Sequence, residues 1–534
     1  MKKIIANKWY TLGVLLIAQI LIISDNTGLS ISTANIISEL NTGLDQVQFS
    51  LAMYPMIAGS LMIAGGMLGL VIGWKRLFQI GVGFYVLAEF IIATTNSVEV
   101  LIFGGRVLAG LGGSMIIPAV LGMIPGIYYG KDRVKAFSLV AVAVATGSAL
   151  SPFIFGLIID HYSFKIGFWL MMTLFSVLFF SSFYIKDIPL PEKKVKFDFI
   201  GLVLMSSAIF LFMTGLMKIS EWGIWFANDP DISLLGISLS PVLVLIGFVV
   251  FFIFLKWEGR LDRKGGDCLM PMEFVKSAQV RSGLAFTAVV FMAFITITFV
   301  VISYLQLVGE FSAIETAGVL LFFSVGMIAG SLGAPAWLSK MSAKNVNTIG
   351  FIGLLAGLII MYFGLELVGV NIFMPFGMLV FGVGLGIISA QMSLIVTEAI
   401  SHQGAMQSGG VQATFRGIGE ALGIAVLGTT LMLSTTISFK DMGLSNKEIS
   451  KETADLIIEA NTIPFSGDET FKDMLDEYVD NDNDKKELMA INIDTRKRAA
   501  ENSLFVMMFF VVFFYVMFRK NVPEQSILSN SGTD

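Results

Sequence analysis

The sequence predicts an all-α polytopic membrane protein whose chain crosses the bilayer about fourteen times. Three observations support this fold class. The 534 residues are 55% hydrophobic and only 14% charged, whereas a soluble protein carries about 25% charge. The apolar residues form runs of ~20, which are long enough to cross ~30 Å of hydrocarbon as helices. Of the 35 Lys and Arg residues, only Arg106 and Arg416 fall inside such a run.

The apolar runs follow one another along the whole chain and are separated by polar stretches. The mean hydropathy of the chain is +0.80, in keeping with this pattern. We predict membrane spans over residues 9–37, 47–70, 77–96, 100–127, 136–159, 167–185, 199–218, 233–256, 283–307, 314–338, 348–368, 372–397, 409–434 and 503–519.

The distribution of Lys and Arg predicts which loops face the cytoplasm. The loops on one side of the predicted spans hold 22 of these residues, whereas the short loops on the other side hold Lys165 and Lys218. Cytoplasmic loops carry the excess of basic residues in membrane proteins. The first side is therefore predicted to be cytoplasmic, and both termini lie on it.

The spacing of the spans predicts six spans, two additional spans and six more. We assign residues 1–185 to an N-terminal six-helix bundle and residues 186–282 to a linker with two additional transmembrane helices. Residues 283–534 form a C-terminal six-helix bundle in this assignment. Two equivalent bundles around a central path are a common plan in transporters.

Residues 436–502, which we call the outer segment, differ from the rest of the chain. They contain 16 acidic and 9 basic residues. Capping boxes at Ser445 with Glu448 and at Ser466 with Glu469 predict two short helix starts. Apolar residues from Phe471 to Val479 then recur at helical spacing, which predicts an amphipathic helix. We expect two short helices outside the membrane, with a structural or a regulatory role.

The composition argues against several classes of function. Cys268 is the single cysteine, and His161 and His402 are the only histidines. This content excludes a disulfide framework and disfavours a metal site. The sequence shows no nucleophile set with a histidine and no phosphate-binding loop, so we do not expect an enzyme. Because the basic residues follow membrane topology, they do not indicate nucleic-acid binding.

Five ionisable residues lie inside the predicted spans and away from the span ends. Such groups are costly in hydrocarbon, so they point inward and mark pathways by default. Asp25 is the strongest candidate, as a group that binds a proton or a cation, although a structural hydrogen-bonding role is the alternative. Glu89 is isolated in its span, and Arg106 is a candidate partner for Asp25 or for a helix end. Arg416 and Glu420 are one helical turn apart and could form a pair.

Several segments, in order and on the predicted spans, resemble motifs of one transporter family. They are Asp25-Asn26-Thr27 in the first span, Gly66 to Gly73 with Lys75 and Arg76 in the loop after the second, Gly105-Arg106 to Gly112 in the fourth, Gly147 with Ser151-Pro152 to Gly156 in the fifth, Tyr304 to Gly309 in the ninth, and Arg416 to Gly423 in the thirteenth. On these segments the chain resembles the major facilitator superfamily, and most closely its fourteen-span drug:proton antiporter branch, which includes the quaternary-ammonium exporters.

The resemblance implies a secondary active exporter in the plasma membrane of a bacterium. It would move lipophilic or cationic compounds by proton-coupled antiport and alternating access, as a monomer, with the proton gradient as its energy source and no cofactor. Asp25, with Glu89 or Glu420 as its partner, would bind either a proton or a cationic substrate. Arg106 would bias Asp25 toward release of its proton, and Arg416 belongs to the same coupling set.

Three departures from the family pattern bear on this expectation. Leu70 and Val71 replace the acidic and basic residues of the loop motif, so the cytoplasmic closure must be built differently. Ser151 replaces a glycine of the antiporter motif, and Glu420 replaces another glycine. Two alternatives therefore stay open: a lipid or metabolite exporter of the same fold, and a membrane sensor or assembly partner that acts through the outer segment.

Overall fold

The computed structural model describes residues 8–42, 44–159, 161–188, 195–226, 233–234, 236–270, 272–309, 311–366, 371–460, 463 and 465–526. The predicted cytoplasmic placement of the two chain ends concerns residues outside these ranges. Within the ranges, fourteen helical stretches are long and apolar enough to cross a membrane. The predicted fold class is therefore confirmed.

The chain is built almost entirely of helices. The helices are α1 (Lys8–Ile31), α2 (Thr33–Leu40), α3 (Leu44–Ile72), α4 (Trp74–Thr94), α5 (Val107–Ile127), α6 (Gly130–Ile159), α7 (Phe164–Ser182), α8 (Phe199–Met217), α9 (Ile219–Trp222), α10 (Leu239–Arg263), α11 (Met272–Lys276), α12 (Ala278–Ile295), α13 (Ile302–Leu307), α14 (Ala313–Trp337), α15 (Ala343–Phe363), α16 (Phe373–Thr397), α17 (His402–Ser445), α18 (Lys451–Glu459), α19 (Asp468–Tyr478) and α20 (Asp482–Phe518). Two π-helical segments, Val100–Arg106 and Thr296–Val301, precede α5 and follow α12, and Arg519–Asn521 is a 3-10 turn. A short antiparallel hairpin pairs β1 (Ser233–Leu234) with β2 (Ile237–Ser238).

Three of the predicted spans differ from the observed helices for physical reasons. The predicted span 233–256 begins in the hairpin, because polar Ser238 caps the helix that starts at Leu239. The predicted spans 409–434 and 503–519 are the apolar parts of much longer helices. Helix α17 has 44 residues and α20 has 37. Hydropathy identifies only the part of a helix that suits lipid, so it cannot show where a helix continues into water.

The side of the molecule that carries Lys75, Arg133 and Lys344, which we call the basic side, is the side predicted to be cytoplasmic. There the two halves of the chain are in contact. Arg133 Nη1 lies 3.2 Å from Glu398 Oε1. Ser331 Oγ donates a hydrogen bond of 3.3 Å to the Ser138 carbonyl oxygen, joining α14 to α6.

Glycines let the backbones of the two halves touch near the same side. A Cβ atom on Gly66 of α3 would lie 2.8 Å from the Cα of Gly410 in α17. A Cβ atom on Gly409 would lie 2.7 Å from the Pro118 carbonyl oxygen in α5. Such close approach tolerates only glycine. The described conformation is therefore closed between the halves on the basic side.

Helices α8 and α10 pack against each other and lie beside the contact between α3 and α17. Met213 of α8 lies against Gly59 of α3, where its sulfur would be 3.0 Å from an added Cβ. The outward face of the pair carries exposed apolar residues such as Phe199 and Phe252, which suits a surface toward lipid. The two additional helices thus flank the two bundles.

The outer segment forms a small domain from α18, α19 and the extensions of α17 and α20. Phe471, Leu475 and Val479 are buried in its core, which confirms the predicted amphipathic helix. The predicted capping boxes were wrong. Ser445 is the last residue of α17, Ser450 caps α18, and the N-cap of α19 is a glycine. The error arose because α17 continues past the membrane to the first predicted start.

Candidate functional site

Asp25 and Arg106 form a salt bridge in the interior of the N-terminal half. Arg106 Nη1 donates to both carboxylate oxygens of Asp25, at 3.0 and 2.9 Å. Both side chains are fully buried. Arg106 is the last residue of the π-helical segment before α5, and such segments often occur at functional sites.

Two further groups complete the surroundings of the Arg106 guanidinium. Nη2 donates a hydrogen bond of 2.7 Å to Asn26 Oδ1, from the residue next to Asp25. The ring of Tyr54 lies 5.4 Å from the guanidinium carbon and makes a cation–π contact. The sequence cluster around Asp25 therefore holds Arg106 through two successive side chains of α1.

Glu89 of α4 is the third ionisable group of this cluster. It is fully buried, and neither of its oxygens accepts a hydrogen bond from a donor within the described ranges. Its carboxyl is the nearest further acidic group to the Asp25–Arg106 pair among those that influence Asp25 electrostatically. Two carboxylates are both acceptors, so they can bond to each other only when one carries a proton.

Charge balance leads to the same requirement. Arg106 compensates one carboxylate, and a second carboxylate in this interior would be an uncompensated buried charge that costs several kcal/mol. The cluster of Asp25, Glu89 and Arg106 is neutral when it holds a single proton. The structure thus brings together three of the five residues that the sequence singled out.

Arg416 and Glu420 form a second, separate pair on α17. Arg416 Nε donates to Glu420 Oε1 at 3.0 Å, one turn along the helix. Arg416 Nη1 donates to Gln19 Oε1 of α1 at 3.2 Å, and the guanidinium lies 4.4 Å from the centre of the Phe291 ring. Glu420 is thus paired with Arg416 in the described conformation, whereas the ion-pair partner of Asp25 is Arg106.

A central cavity lies between the two halves of the chain. The N-terminal half contributes residues of α1, α5 and α6, and the C-terminal half contributes residues of α12, α14, α16 and α17. Arg416 and Gln19 are in its lining, whereas Asp25, Glu89 and Glu420 are not. Its lining is mostly apolar with a few polar side chains, which is the usual character of a small-molecule site.

The predicted antiporter motif packs against the helix that carries Asp25. Ser151 Oγ donates a hydrogen bond of 2.9 Å to the Ser24 carbonyl oxygen. A Cβ atom on Gly147 would lie 2.9 Å from the Ile20 carbonyl oxygen. Pro152 lies inside α6, and both Pro152 and Gly156 are buried. These residues position α1 and do not contact the Asp25 carboxylate within the described contacts.

The residues of the predicted cytoplasmic loop motif have structural surroundings. Gly73 has a positive φ of 95° at the N-cap of α4, a conformation that favours glycine. Lys75 donates to the Phe183 carbonyl oxygen at 2.8 Å, and Arg76 is exposed. Gly66 forms the contact with Gly410 given above. In the described chain, the ion pair between the halves on this side comes from Arg133 instead.

Sequence reasoning missed Gln19 and Tyr54. Gln19 holds Arg416 and lies six residues before Asp25 on α1, about 9 Å along the helix. Tyr54 contacts the Arg106 guanidinium through its ring. Gln19 could have been identified from the sequence as an amide within an apolar helix. No sequence feature identifies Tyr54, since tyrosines are common at such positions.

The fold and the buried charges define the chain as a membrane transporter, and comparison with known proteins gives the family. The sequence model of the Major Facilitator Superfamily matches residues 15–424. The chain therefore belongs to the major facilitator superfamily.

Curated relatives and solved structures are similar to this chain at low identity. A probable actinorhodin transporter of Streptomyces coelicolor is 27% identical over 79% of this chain and 72% of its own length. A tetracenomycin C resistance and export protein of Streptomyces glaucescens is 25% identical over 79% and 76%. The crystal structure of a bacterial homolog of the human lysosomal transporter Spinster has a TM-score of 0.55 at 12% identity, covering 96% and 97%. The last likeness concerns the fold alone.

Proposed function

We propose that this protein is a proton-coupled exporter of small lipophilic compounds in a bacterial plasma membrane, working as a monomer by alternating access. One observation carries the proposal: Asp25, Glu89 and Arg106 form a sealed cluster that is neutral with a single proton. Export is supported by relatives whose names describe transport and export of antibiotics.

The cluster suits a site that binds and releases one proton. In the described conformation the site is shut off from water, because Asp25, Glu89 and Arg106 have no exposed surface. Loss of the proton would leave two carboxylates facing one guanidinium, an arrangement that favours entry of water and movement of the helices apart. Protonation state and helix packing are therefore linked.

The contacts between the halves supply the conformational part of the proposal. The interface on the basic side rests on glycine contacts and on a partly exposed ion pair between Arg133 and Glu398. Exposed ion pairs contribute only about 0–1 kcal/mol. This ion pair therefore opposes opening of the basic side only weakly, which suits alternating access.

Transport of three pyrene dyes by the purified protein in proteoliposomes tests the proposal. The dyes are pyrenebutyrate (anionic), pyrenebutanamide (neutral) and pyrenebutylammonium (cationic). We expect an imposed pH gradient to drive at least one dye across the membrane in the wild type. Asp25→Asn should abolish the dependence on the gradient. Glu99→Gln is the control, because that carboxylate is exposed and lies outside the buried cluster.

Dye movement that persists unchanged after the gradient is collapsed by an uncoupler would reject proton coupling. Equal gradient-driven rates in the wild type and in Asp25→Asn would remove the cluster from the mechanism.

A further inference from the structure

We infer that the central cavity recognises an acidic group on an aromatic, amphipathic substrate, and that Arg416 binds this group. The inference rests on the proposed transport function and names its substrate class. It differs from the cationic class implied by resemblance to the quaternary-ammonium exporters.

The charge that faces the cavity is positive. Arg416 is in the lining, and no carboxylate accompanies it among the lining residues of the described chain. Glu420 binds Arg416 through Nε, and Gln19 binds it through Nη1. The third nitrogen, Nη2, donates no hydrogen bond to any residue that the structure describes. A guanidinium with one open edge is a ready partner for a carboxylate or another oxyanion.

Polar atoms without partners lie around the same cavity. Gln19 Nε2, Gln412 Oε1 and Ser389 Oγ are buried and form no hydrogen bond within the ranges given above. The orientation of the Gln19 amide is fixed, because its oxygen accepts from Arg416. Its Nε2 is therefore a donor next to the guanidinium, where it can share an acidic group. Gln412 and Ser389 suit further polar substituents of a ligand.

The remaining lining suits flat aromatic rings. Phe137 of α6 lies on one half of the chain, and Phe291 and Phe294 of α12 lie on the other. Met327 and Met392 add flexible thioether side chains. Aromatic and methionine side chains adapt to ligands with extended π-systems. An aromatic body with an acidic end therefore matches both parts of the cavity.

The expected cation site is not part of this lining. Asp25 is paired with Arg106 and fully buried, and Glu89 is adjacent to it. Glu420 compensates Arg416 from outside the lining. A cationic substrate in the central cavity would meet the open Nη2 edge of Arg416 and no carboxylate among the lining residues of the described chain, which is an unfavourable arrangement. The cavity thus discriminates in favour of acids.

The three pyrene dyes provide the matched probes, since they differ in the charge of one end group. Binding is measured by dye fluorescence on the full-length protein in nanodiscs. We expect the wild type to bind pyrenebutyrate at least about tenfold more tightly than pyrenebutylammonium. Arg416→Gln should weaken binding of pyrenebutyrate at least about tenfold and leave binding of pyrenebutanamide within about twofold.

Two further variants make the test independent of the folding of Arg416→Gln. Gln19→Glu has the same shape and places a carboxylate beside Arg416, so it should weaken pyrenebutyrate binding and strengthen pyrenebutylammonium binding. Glu420→Gln removes the competitor for the guanidinium, so it should strengthen pyrenebutyrate binding. A cation site that used Glu420 would show the opposite: weaker pyrenebutylammonium binding and no gain for the acid.

Failure of the inference is separable from failure of the transport function. If the wild type binds the cationic dye as tightly as the acid, or if it binds none of the three dyes, the acid site is rejected. If the acid and the cation bind equally but a pH gradient still drives transport of the neutral amide, the exporter function stands. If the acid binds through Arg416 but no dye is moved by a gradient, the binding site stands and the transport proposal fails.

Discussion

Replacement of the two buried carboxylates, singly and together, tests whether the N-terminal cluster holds a single proton. In Asp25→Asn, Glu89 can release its proton and compensate Arg106. In Glu89→Gln, Asp25 continues to compensate Arg106 through the contacts at 2.9 and 3.0 Å. Each single variant keeps the cluster neutral. We therefore expect each to cost only about 1 kcal/mol, the scale of a lost hydrogen bond.

The double variant should behave differently. With both carboxylates removed, Arg106 is a fully buried cation whose remaining partners among the described residues are Asn26 and Tyr54. An unpaired buried charge costs about 3–5 kcal/mol. The double variant should thus lose at least about 1 kcal/mol more than the sum of the single variants. Adding Arg106→Gln should recover most of that stability, because it removes the unpaired charge.

Denaturation of the purified variants in mixed micelles measures these stability differences. Proton release on dye binding, followed with a pH indicator in weakly buffered solution, provides a second readout. The wild type should release up to about one proton per protein, and both single variants should release none, since they hold no shared proton. Additive stability losses, or a loss of about 3–5 kcal/mol in either single variant, would refute the shared-proton arrangement.

Three further predictions concern other parts of the molecule. Arg496→Met should speed trypsin cleavage of the outer segment about tenfold or more, because Arg496 donates hydrogen bonds to carbonyl oxygens of α13 and of the chain before α19. Arg498→Met is the control: it also removes one trypsin site, lies at an exposed position and should have no effect. Arg133→Gln and Glu398→Gln remove the same partly exposed pair. Each should therefore raise labelling, from the basic side, of a cysteine introduced into the cavity lining by up to about fivefold, and the double variant should add nothing. Burial raises the pKa of the Cys268 thiol to about 12, so alkylation at pH 8 should be about 1000-fold slower than for a free thiol. The rate should rise about tenfold per pH unit as the thiolate forms. A fast reaction at pH 8 would contradict this.

The sequence was sufficient to predict the membrane fold, because hydropathy is a local property that each span carries in full. It also predicted the pairing of Arg416 with Glu420, since residues four apart share one helix face. Arg133 and Glu398 could not be paired in this way. They are 265 residues apart, and only the packing of the two halves brings them together.

The sequence identified the charged residues of the candidate site but not how they are grouped. Buried charge pointed to five residues, and the structure divides them into two clusters. The partner of Asp25 stayed open because Glu89 and Glu420 both lie deep in apolar helices, and only the angle between helices decides which is near. Gln19 was missed because an uncharged amide costs less in a membrane interior than an ion and so stands out less from its surroundings.

The separation of the two clusters changes the form that coupling takes. Direct competition between proton and substrate for one carboxylate needs Asp25 in the cavity wall, and Asp25 is not part of that wall. Helix α1 carries both Asp25, which holds the proton cluster, and Gln19, which holds Arg416. A shift of α1 when the cluster gains or loses its proton would therefore move Gln19 against Arg416 and change the ligand site. Coupling through one helix requires no shared binding group, so binding of a substrate acid can release the proton although the two do not compete for one carboxylate.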